Sequence, residues 1–282
     1  MKTLSHGIYT GERALFGGRE LVISHGIFED GESPLKHSRD ILAEHTEFRW
    51  KYPLWYSRDI TVKNCRFAEG ARAGIWYTDD ISVSDTAYDA PKGFRRCNGL
   101  ALENVTIPNA LETLWKCRDV RMKNVTAAGD YLAMDCDGME IDGLTLDGNY
   151  AFDGAKNITI RNSRLVTKDA FWNSENVTAV NCFIEGEYLA WNSKNLTLIN
   201  CTVKSLQGLC FVENLVMKNC RTGDTTLAFE YSTIDAEITG GIDSVKNPSG
   251  GTLTADSIGE LIMESDRVDV SATKINIREE VK

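Results

Sequence analysis

The feature that most constrains this chain is a short phrase that recurs at a nearly constant interval. One copy is DITVKNCRF at residues 59–67. Copies begin at residues 21, 41, 60, 81, 100, 120, 139, 158, 177, 196, 215 and 234, so the step is 19 to 21 residues. Self-similarity at a fixed short period is the signature of a solenoid, in which each repeat stacks on the one before it.

Apolar and polar residues alternate inside each copy, as at Ile158 and Ile160 or at Leu196 and Leu198. A period of two indicates β-strands rather than helices. The phrase Leu-x-x-Leu-x-Leu-x-x-Asn of leucine-rich repeats is absent. The sequence therefore predicts an all-β fold, a single-stranded right-handed parallel β-helix of about 12 coils of 19–21 residues.

The repeat also sets the expected domain organisation. Residues 21–252 should form the β-helix itself. An open β-helix end is an exposed sheet edge that needs a cover, so residues 1–20 are predicted to be an N-terminal cap. The phrase decays after Ile234, and residues 253–282 are predicted to be degenerate coils or a C-terminal cap of the same domain.

Equivalent residues of successive copies should form columns, because stacked coils make them neighbours. Gly, Asn or Asp precedes most copies, and these residues tolerate the left-handed backbone of a sharp turn. A second column predicts side-chain amides bonded from coil to coil: Asn64, Asn104, Asn124, Asn162, Asn181, Asn200 and Asn219. A heavy column is predicted to lie in the core, with a sugar-stacking platform as the alternative: Trp55, Trp76, Trp115, Met134, Trp172, Trp191 and Phe229.

Composition narrows the classes of function. Lys and Arg number 31 against 41 Asp and Glu, a net charge of −10 that argues against nucleic acid as a partner. No apolar run approaches the ~18 residues of a membrane helix, and no signal-like segment opens the chain, so we expect a cytoplasmic protein without a membrane partner. The 8 Cys fall mostly in columns and only 4 His are present, so neither a disulfide framework, a metal site nor a cofactor is predicted.

The loops of the N-terminal copies differ from the generic loops of the later ones. The segments at residues 29–37, 50–56, 71–77 and 91–96 are rich in aromatic and basic side chains. In the coil register these segments stack and predict a groove for an anionic or polyhydroxylated ligand. Two columns should line this groove: His37, Tyr56, Tyr77, Arg96, Lys116 and Asp135 in the first, and Glu32, Lys51, Arg72 and Lys92 in the second. The candidate ligand-binding residues are Glu32, Lys36, Lys51, Tyr56, Arg72, Tyr77, Lys92, Arg95 and Arg96.

The residue types of this groove suit an acidic sugar. Arg and Lys side chains hold carboxylate or phosphate groups, and Tyr56 and Tyr77 would stack on sugar faces. The alternative is structural: Glu32 pairs with Lys51 or Arg72, and the aromatic side chains pack a cap or a dimer contact.

Catalytic residues can also be nominated. His37 is a candidate general base, and Lys36 or Arg96 would stabilise a developing oxyanion. Asp79 and Asp80 are adjacent acids that could act in hydrolysis or hold Ca²⁺. Asp80, however, lies in the turn column, where Asp is expected for structural reasons alone.

Four phrases carry a family resemblance: GESPLK at 31–36, KYPLWY at 51–56, ARAGIWY at 71–77 and KGFRR at 92–96. With them the chain resembles, over nearly its whole length, an uncharacterised bacterial family, domain of unknown function 3737. The resemblance implies a pectin-lyase-like right-handed parallel β-helix and lends no established activity. The coils also resemble those of pectate lyases and polygalacturonases, but the Asn-Thr-Asp, Gly-His-Gly and Arg-Ile-Lys set of polygalacturonases is absent.

Two functions therefore stand as alternatives. The first is a carbohydrate-binding or carbohydrate-active β-helix that takes an acidic sugar or another anionic small molecule at the N-terminal groove. The second is a non-catalytic cytoplasmic scaffold that self-associates into a homo-oligomer through its aromatic N-terminal face. The residues leave open whether the protein is an enzyme, and fold alone does not decide it.

Overall fold

The computed structural model of the protein describes residues 1–278. The chain divides into two compact units, Met1–Thr145 and Leu146–Lys282, called here the N-terminal unit and the C-terminal unit. The fold is an all-β parallel β-solenoid of the right-handed type, which confirms the predicted fold class. The predicted number of coils was too low, because the chain makes about 15 turns rather than 12.

The strands of the N-terminal unit are β1 (Lys2–Ser5), β2 (Ile8–Tyr9), β3 (Arg19–Ser24), β4 (Ile27–Phe28), β5 (Arg39–Glu44), β6 (Glu47–Phe48), β7 (Leu54–Trp55), β8 (Arg58–Lys63), β9 (Arg66–Phe67), β10 (Ile75–Trp76), β11 (Asp79–Tyr88), β12 (Phe94–Arg95), β13 (Asn98–Ile107) and β14 (Arg118–Ala128), with a 3-10 helix at Glu69–Ala71. Strand β15 (Asp137–Asp147) contains the boundary between the units.

The strands of the C-terminal unit are β16 (Lys156–Arg161), β17 (Arg164–Val166), β18 (Glu175–Val180), β19 (Phe183–Gly186), β20 (Lys194–Ile199), β21 (Thr202–Ser205), β22 (Glu213–Thr222), β23 (Thr233–Ile238), β24 (Gly241–Lys246), β25 (Gly250–Ala255), β26 (Ser257–Ile262) and β27 (Thr273–Ile277).

The additional turns lie at the two ends of the predicted repeat. Strand β1 pairs in parallel with β3 and aligns Lys2 with Leu21, so the segment predicted as a cap contains a coil of its own. Strand β25 pairs in parallel with β27 and aligns Gly251 with Thr273. Part of the predicted C-terminal segment, residues 279–282, lies outside the described residues.

Alternation along each strand decides which side chains enter the core. In β8, Ile60 and Val62 are buried whereas Lys63 is exposed. Rings fill the core seven residues after the starts of the copies at 21, 41, 60 and 81, with centroids 4.5 to 4.9 Å apart: Phe28, Phe48, Phe67 and Tyr88. The predicted heavy column lies in the core only at Phe229, which is fully buried. The prediction was wrong for its five Trp residues: each follows an inward residue, as Trp55 follows Leu54, and is therefore only half-buried.

Sharp corners with left-handed backbone join the strands. In the C-terminal unit one corner carries an amide ladder, with φ between 50 and 55°: Asn162, Asn181, Asn200 and Asn219. Each amide Nδ2 donates to the Oδ1 of the preceding coil, at 3.3, 3.2 and 2.8 Å. These bonds confirm the predicted Asn ladder for these four residues and explain the residue choice, because Asn adopts the left-handed region at low cost.

Candidate functional site

The predicted groove residues lie along one corner of the N-terminal unit. The short strands β7, β10 and β12 pair in parallel, and their register forms the column Trp55, Trp76 and Arg95. The next residue of each coil, Tyr56, Tyr77 or Arg96, has a left-handed backbone with φ of 55°, 54° and 49°. A small buried residue follows each of them, so the chain turns inward there and leaves the corner side chains in solvent.

The corner side chains form a stack of rings, called here the tyrosine stack. The ring centroids of His37 and Tyr56 are 5.4 Å apart, and those of Tyr56 and Tyr77 are 4.7 Å apart with an angle of 1° between the planes. Phe16 covers the outer side of His37 edge-on, and the Arg96 guanidinium lies 5.9 Å from the Tyr77 ring centroid. Both ring faces of each Tyr are thus covered, so a sugar could meet ring edges and hydroxyls but could not stack on a face.

A second stack, called here the tryptophan stack, lies beside the first. Trp55 and Trp76 are parallel, with centroids 5.0 Å apart and 6° between the planes. The Arg95 guanidinium continues the stack between Trp76, at 4.8 Å, and Trp115, at 4.2 Å. Lys36 closes the other end, with its Nζ 6.0 Å from the Trp55 centroid. Arg95, predicted to bind ligand, is therefore held by the fold as a cationic rung between two indoles.

Ion pairs engage several of the predicted ligand-binding residues. Lys51 pairs with Glu32 at 2.9 Å, which is the structural alternative considered for these two residues. Glu112, which was not predicted, accepts from Lys92 at 3.1 Å and from Arg95 at 2.5 Å. Burial raises the pKa of the Glu112 carboxyl, but the hydrogen bonds from Lys92 and Arg95 outweigh burial and leave the pKa below its ordinary value.

The register of one predicted column needs correction. Lys92 was aligned with Arg72, but Lys92 occupies the left-handed position of its coil, as Tyr52 and Ala73 do in theirs. The residue that follows Arg72 one coil later is Pro91, whose carbonyl accepts from the Ala73 amide. Counting from the start of each loop instead of from the strands caused the error of one position. Arg72 itself is exposed.

The catalytic candidates do not converge. Asp80 has φ of 52° in the turn column, and its Oδ2 accepts from the Arg58 guanidinium at 3.1 Å. Asp79 lies on the same coil as Tyr77, and His37 lies two coils before that coil. The separation between His37 and Asp79 along the coil axis is therefore about 10 Å at ~4.8 Å per coil. Within residues 1–278, no group of three or more His, Cys, Asp or Glu side chains is placed to hold a metal ion.

The corner opens into a depression of about 600 Å³ beyond the tyrosine stack. The residues that define this basic depression are Tyr77, Arg96, Asn98, Lys116 and Arg118. Lys116 lies 3.6 Å from Asp135, and both side chains are largely exposed. Arg96 and Arg118 are exposed, and neither forms an ion pair in the part of the chain that the structure describes.

Three residues of the basic depression were not predicted as site residues. Lys116 lies in the predicted corner column after Arg96 but was not nominated as a ligand-binding residue. Asn98 and Arg118 occupy the column two residues before each copy start and are aligned by the pairing of β13 with β14. A search of every column next to the corner, rather than of the loops alone, would have found Asn98 and Arg118.

A family model described as "Protein of unknown function (DUF3737)" matches residues 2–276. The chain belongs to the DUF3737 family. The match confirms the resemblance seen in the sequence, and the family description assigns no activity. No curated protein matches the chain by sequence. In residues 1–278 no helix is long and apolar enough to cross a membrane.

Solved structures similar to this DUF3737 chain are distant. The tailspike protein of E. coli bacteriophage HK620, as a double mutant, is 9% identical with a TM-score of 0.47, covering 97% of this chain and 68% of its own. The surface adhesin PfbA of Streptococcus pneumoniae is 8% identical with a TM-score of 0.37, over 93% and 80%. The A-module of the Azotobacter vinelandii mannuronan C-5 epimerase AlgE6 is 12% identical with a TM-score of 0.36, over 98% and 91%. The function proposed below therefore rests on side chains of this chain alone.

Proposed function

We propose that the N-terminal unit binds an acidic carbohydrate, or a small anion of similar chemistry, at the basic depression. The observation that carries the proposal is the pair of exposed guanidiniums of Arg96 and Arg118, which border one concave surface without a carboxylate partner among the described residues. The protein as a whole has a net charge of −10, so a local cluster of free cations is not explained by composition.

The groups around the depression suit a sugar that carries a carboxylate. A guanidinium offers a planar fork of donors that matches a carboxylate in two parallel hydrogen bonds. Lys116 adds a third cation, which the nearby carboxylate of Asp135 partly neutralises. The amide of Asn98 and the hydroxyl of Tyr77 are neutral groups that can bond sugar hydroxyls. A uronate unit presents both a carboxylate and hydroxyls within a few ångströms.

The same corner extends the surface along the coil axis. Tyr56 and His37 occupy the same column on the two coils that precede Tyr77. The ring centroids are 4.7 Å apart between Tyr77 and Tyr56 and 5.4 Å apart between Tyr56 and His37, and the exposed ring edges repeat at these distances. A chain of several sugar units could therefore continue from the depression over these edges. Binding is better supported than catalysis, because a general base must come within about 3 Å of the proton it removes, and His37 and Asp79 are too far apart to serve one bond.

Calorimetric titration of the full chain with oligogalacturonates and oligomannuronates tests the proposal. Removing a hydrogen bond to a charged group costs about 1.5–3 kcal/mol, so Arg96→Ala/Arg118→Ala should weaken binding at least about a hundredfold. The control Arg161→Ala/Lys218→Ala removes two exposed cations from the C-terminal unit and should leave binding unchanged. Equal binding by the Arg96/Arg118 variant, or no binding of any uronate or sugar phosphate to the wild type, would refute the proposal.

A further inference from the structure

The equivalent corner of the C-terminal unit has a different chemistry. Its left-handed positions, with φ between 52 and 57°, are Asn173, Asn192, Phe211 and Tyr231. Asn173 donates its Nδ2 to Asp153 Oδ1, and Asn192 donates its Nδ2 to Asn173 Oδ1, each at 2.9 Å. Every amide of this ladder thus bonds backwards, to the preceding coil, and presents its own Oδ1 to the following one.

The ladder stops where the column changes from amide to aromatic. On the following coil the same position is occupied by Phe211, whose side chain has no hydrogen-bond donor. The Asn192 Oδ1 therefore lacks the amide donor that the next member of the ladder would have supplied. A carbonyl oxygen in that position can accept from a ligand hydroxyl. The amide itself is held in place, because its Nδ2 is already bonded.

An open depression of about 490 Å³ lies at the same point, bordered by Asn192, Phe211, Tyr231, Lys194 and Glu213. The Phe211 side chain is 38% exposed. Its ring makes an angle of 41° with that of Tyr231, at a centroid distance of 5.3 Å. On its other side the Phe211 ring contacts Trp191, at a centroid distance of 4.7 Å and an angle of 37°. Both contacts are tilted, unlike the parallel pair of the tyrosine stack at 1°, and they leave the Phe211 ring partly exposed.

The charge of this second depression is balanced. Lys194 and Glu213 pair at 2.9 Å, so the two charges of the lining compensate each other. In the described part of the chain no cation lies over the ring of Phe211 or Tyr231, in contrast to the Arg96 contact with Tyr77. An anion would gain little here, because no free positive charge faces it. The surface suits a molecule with an apolar C–H face and several hydroxyls.

We propose that Asn192, Phe211 and Tyr231 form a second ligand site, which takes an uncharged pyranose sugar. The C–H face of the sugar packs against the part of the Phe211 ring that Trp191 and Tyr231 leave exposed, and a sugar hydroxyl donates to the Asn192 Oδ1. Further hydroxyls bond the carboxylate of Glu213 and the ammonium of Lys194. The site is independent of the basic depression in residues, ligand charge and location within the fold, so the two proposals can fail separately.

The test uses the full chain and the methyl glycosides of glucose, galactose, mannose and N-acetylglucosamine. Saturation-transfer NMR identifies a binder, and titration gives its Kd. We expect one or more of these glycosides to bind, with a Kd that Phe211→Ala raises at least tenfold and that NaCl between 50 and 500 mM leaves unchanged. Leu206→Ala removes another exposed apolar side chain of the same unit and is the matched control, which should bind as the wild type does.

Two further variants keep the outcome clear. If Phe211→Ala does not fold, Phe211→Leu keeps an apolar side chain without the ring and should show the same loss. Arg96→Ala/Arg118→Ala should bind the neutral glycoside normally. The proposal is overturned if no neutral glycoside binds at 50 mM, if ring removal leaves the Kd unchanged, or if binding weakens with salt or with the Arg96/Arg118 variant.

Discussion

Tyr88, the last ring of the core column Phe28, Phe48, Phe67 and Tyr88, gives the sharpest test of how this solenoid is packed. Tyr88 is fully buried, and its hydroxyl has no hydrogen-bond partner in the described structure. The hydroxyl lies against Gly74: a Cβ atom built on Gly74 would be 2.2 Å from the hydroxyl oxygen and 2.9 Å from the Ala71 carbonyl oxygen. The coil can therefore hold a Tyr at position 88 only because position 74 has no side chain.

Three variants measure this coupling. Gly74→Ala forces the hydroxyl or the backbone to move, and overpacking of this kind costs about 1–3 kcal/mol of unfolding free energy. Tyr88→Phe removes a hydroxyl that is buried away from water without a hydrogen-bond partner. This should raise the free energy of unfolding by about 1 kcal/mol. In the double variant the contact with the hydroxyl is gone, but the new methyl group still lies 2.9 Å from the Ala71 carbonyl oxygen and 3.3 Å from the ring carbon that carried the hydroxyl. The part of the cost that comes from the hydroxyl should then be recovered, with a coupling free energy of about 1–2 kcal/mol, and the part that comes from the Ala71 carbonyl should remain.

Urea unfolding at constant m-value gives the four free energies. Gly223→Ala is the matched control, because a Cβ there would come no closer than 3.8 Å to any neighbour, and it should be close to neutral. Additive effects of Gly74→Ala and Tyr88→Phe would refute the packing argument. A Tyr88→Phe variant less stable than the wild type by 1 kcal/mol would show that the hydroxyl is hydrogen-bonded after all.

Two further predictions concern buried charge. Asp169 is 2% exposed with an unpartnered Oδ1, and burial raises its pKa above the ordinary 3.8. The stability that the protonated carboxyl contributes is complete below the pKa of the unfolded state. It is lost as the pH rises through the pKa of the folded state, because the buried carboxyl must then ionise. Asp169→Asn should therefore raise the thermal midpoint at pH 7 and have little effect at pH 3.5, and a gain that is independent of pH would contradict this. Arg95→Ala removes the cation between Trp76 and Trp115 and should cost about 2 kcal/mol, with a change in tryptophan emission that Lys92→Ala, the control, does not produce.

The sequence alone determined the fold class and the neighbours along each column. A step of 19 to 21 residues with period-two strands allows few structures other than stacked parallel coils, and stacking makes residues one step apart adjacent whatever the details of the loops. The Asn ladder followed because a corner with left-handed backbone restricts the residue type. The count of coils was low because the terminal copies, such as Lys2–Ser5, keep the strand pairing without the repeated phrase.

Only the tertiary structure decided what each column presents to solvent. Which residues lie next to each other follows from the period, but ring planes, ion pairs and exposure depend on side-chain packing across a corner. Tyr56 and Tyr77 were expected to offer their faces, and packing against each other covers those faces. Arg95 was expected to bind ligand, and the structure adds that two indoles and Glu112 hold its guanidinium in place. The basic depression depends on the curvature between two columns that are separate in the sequence, so no single phrase revealed it.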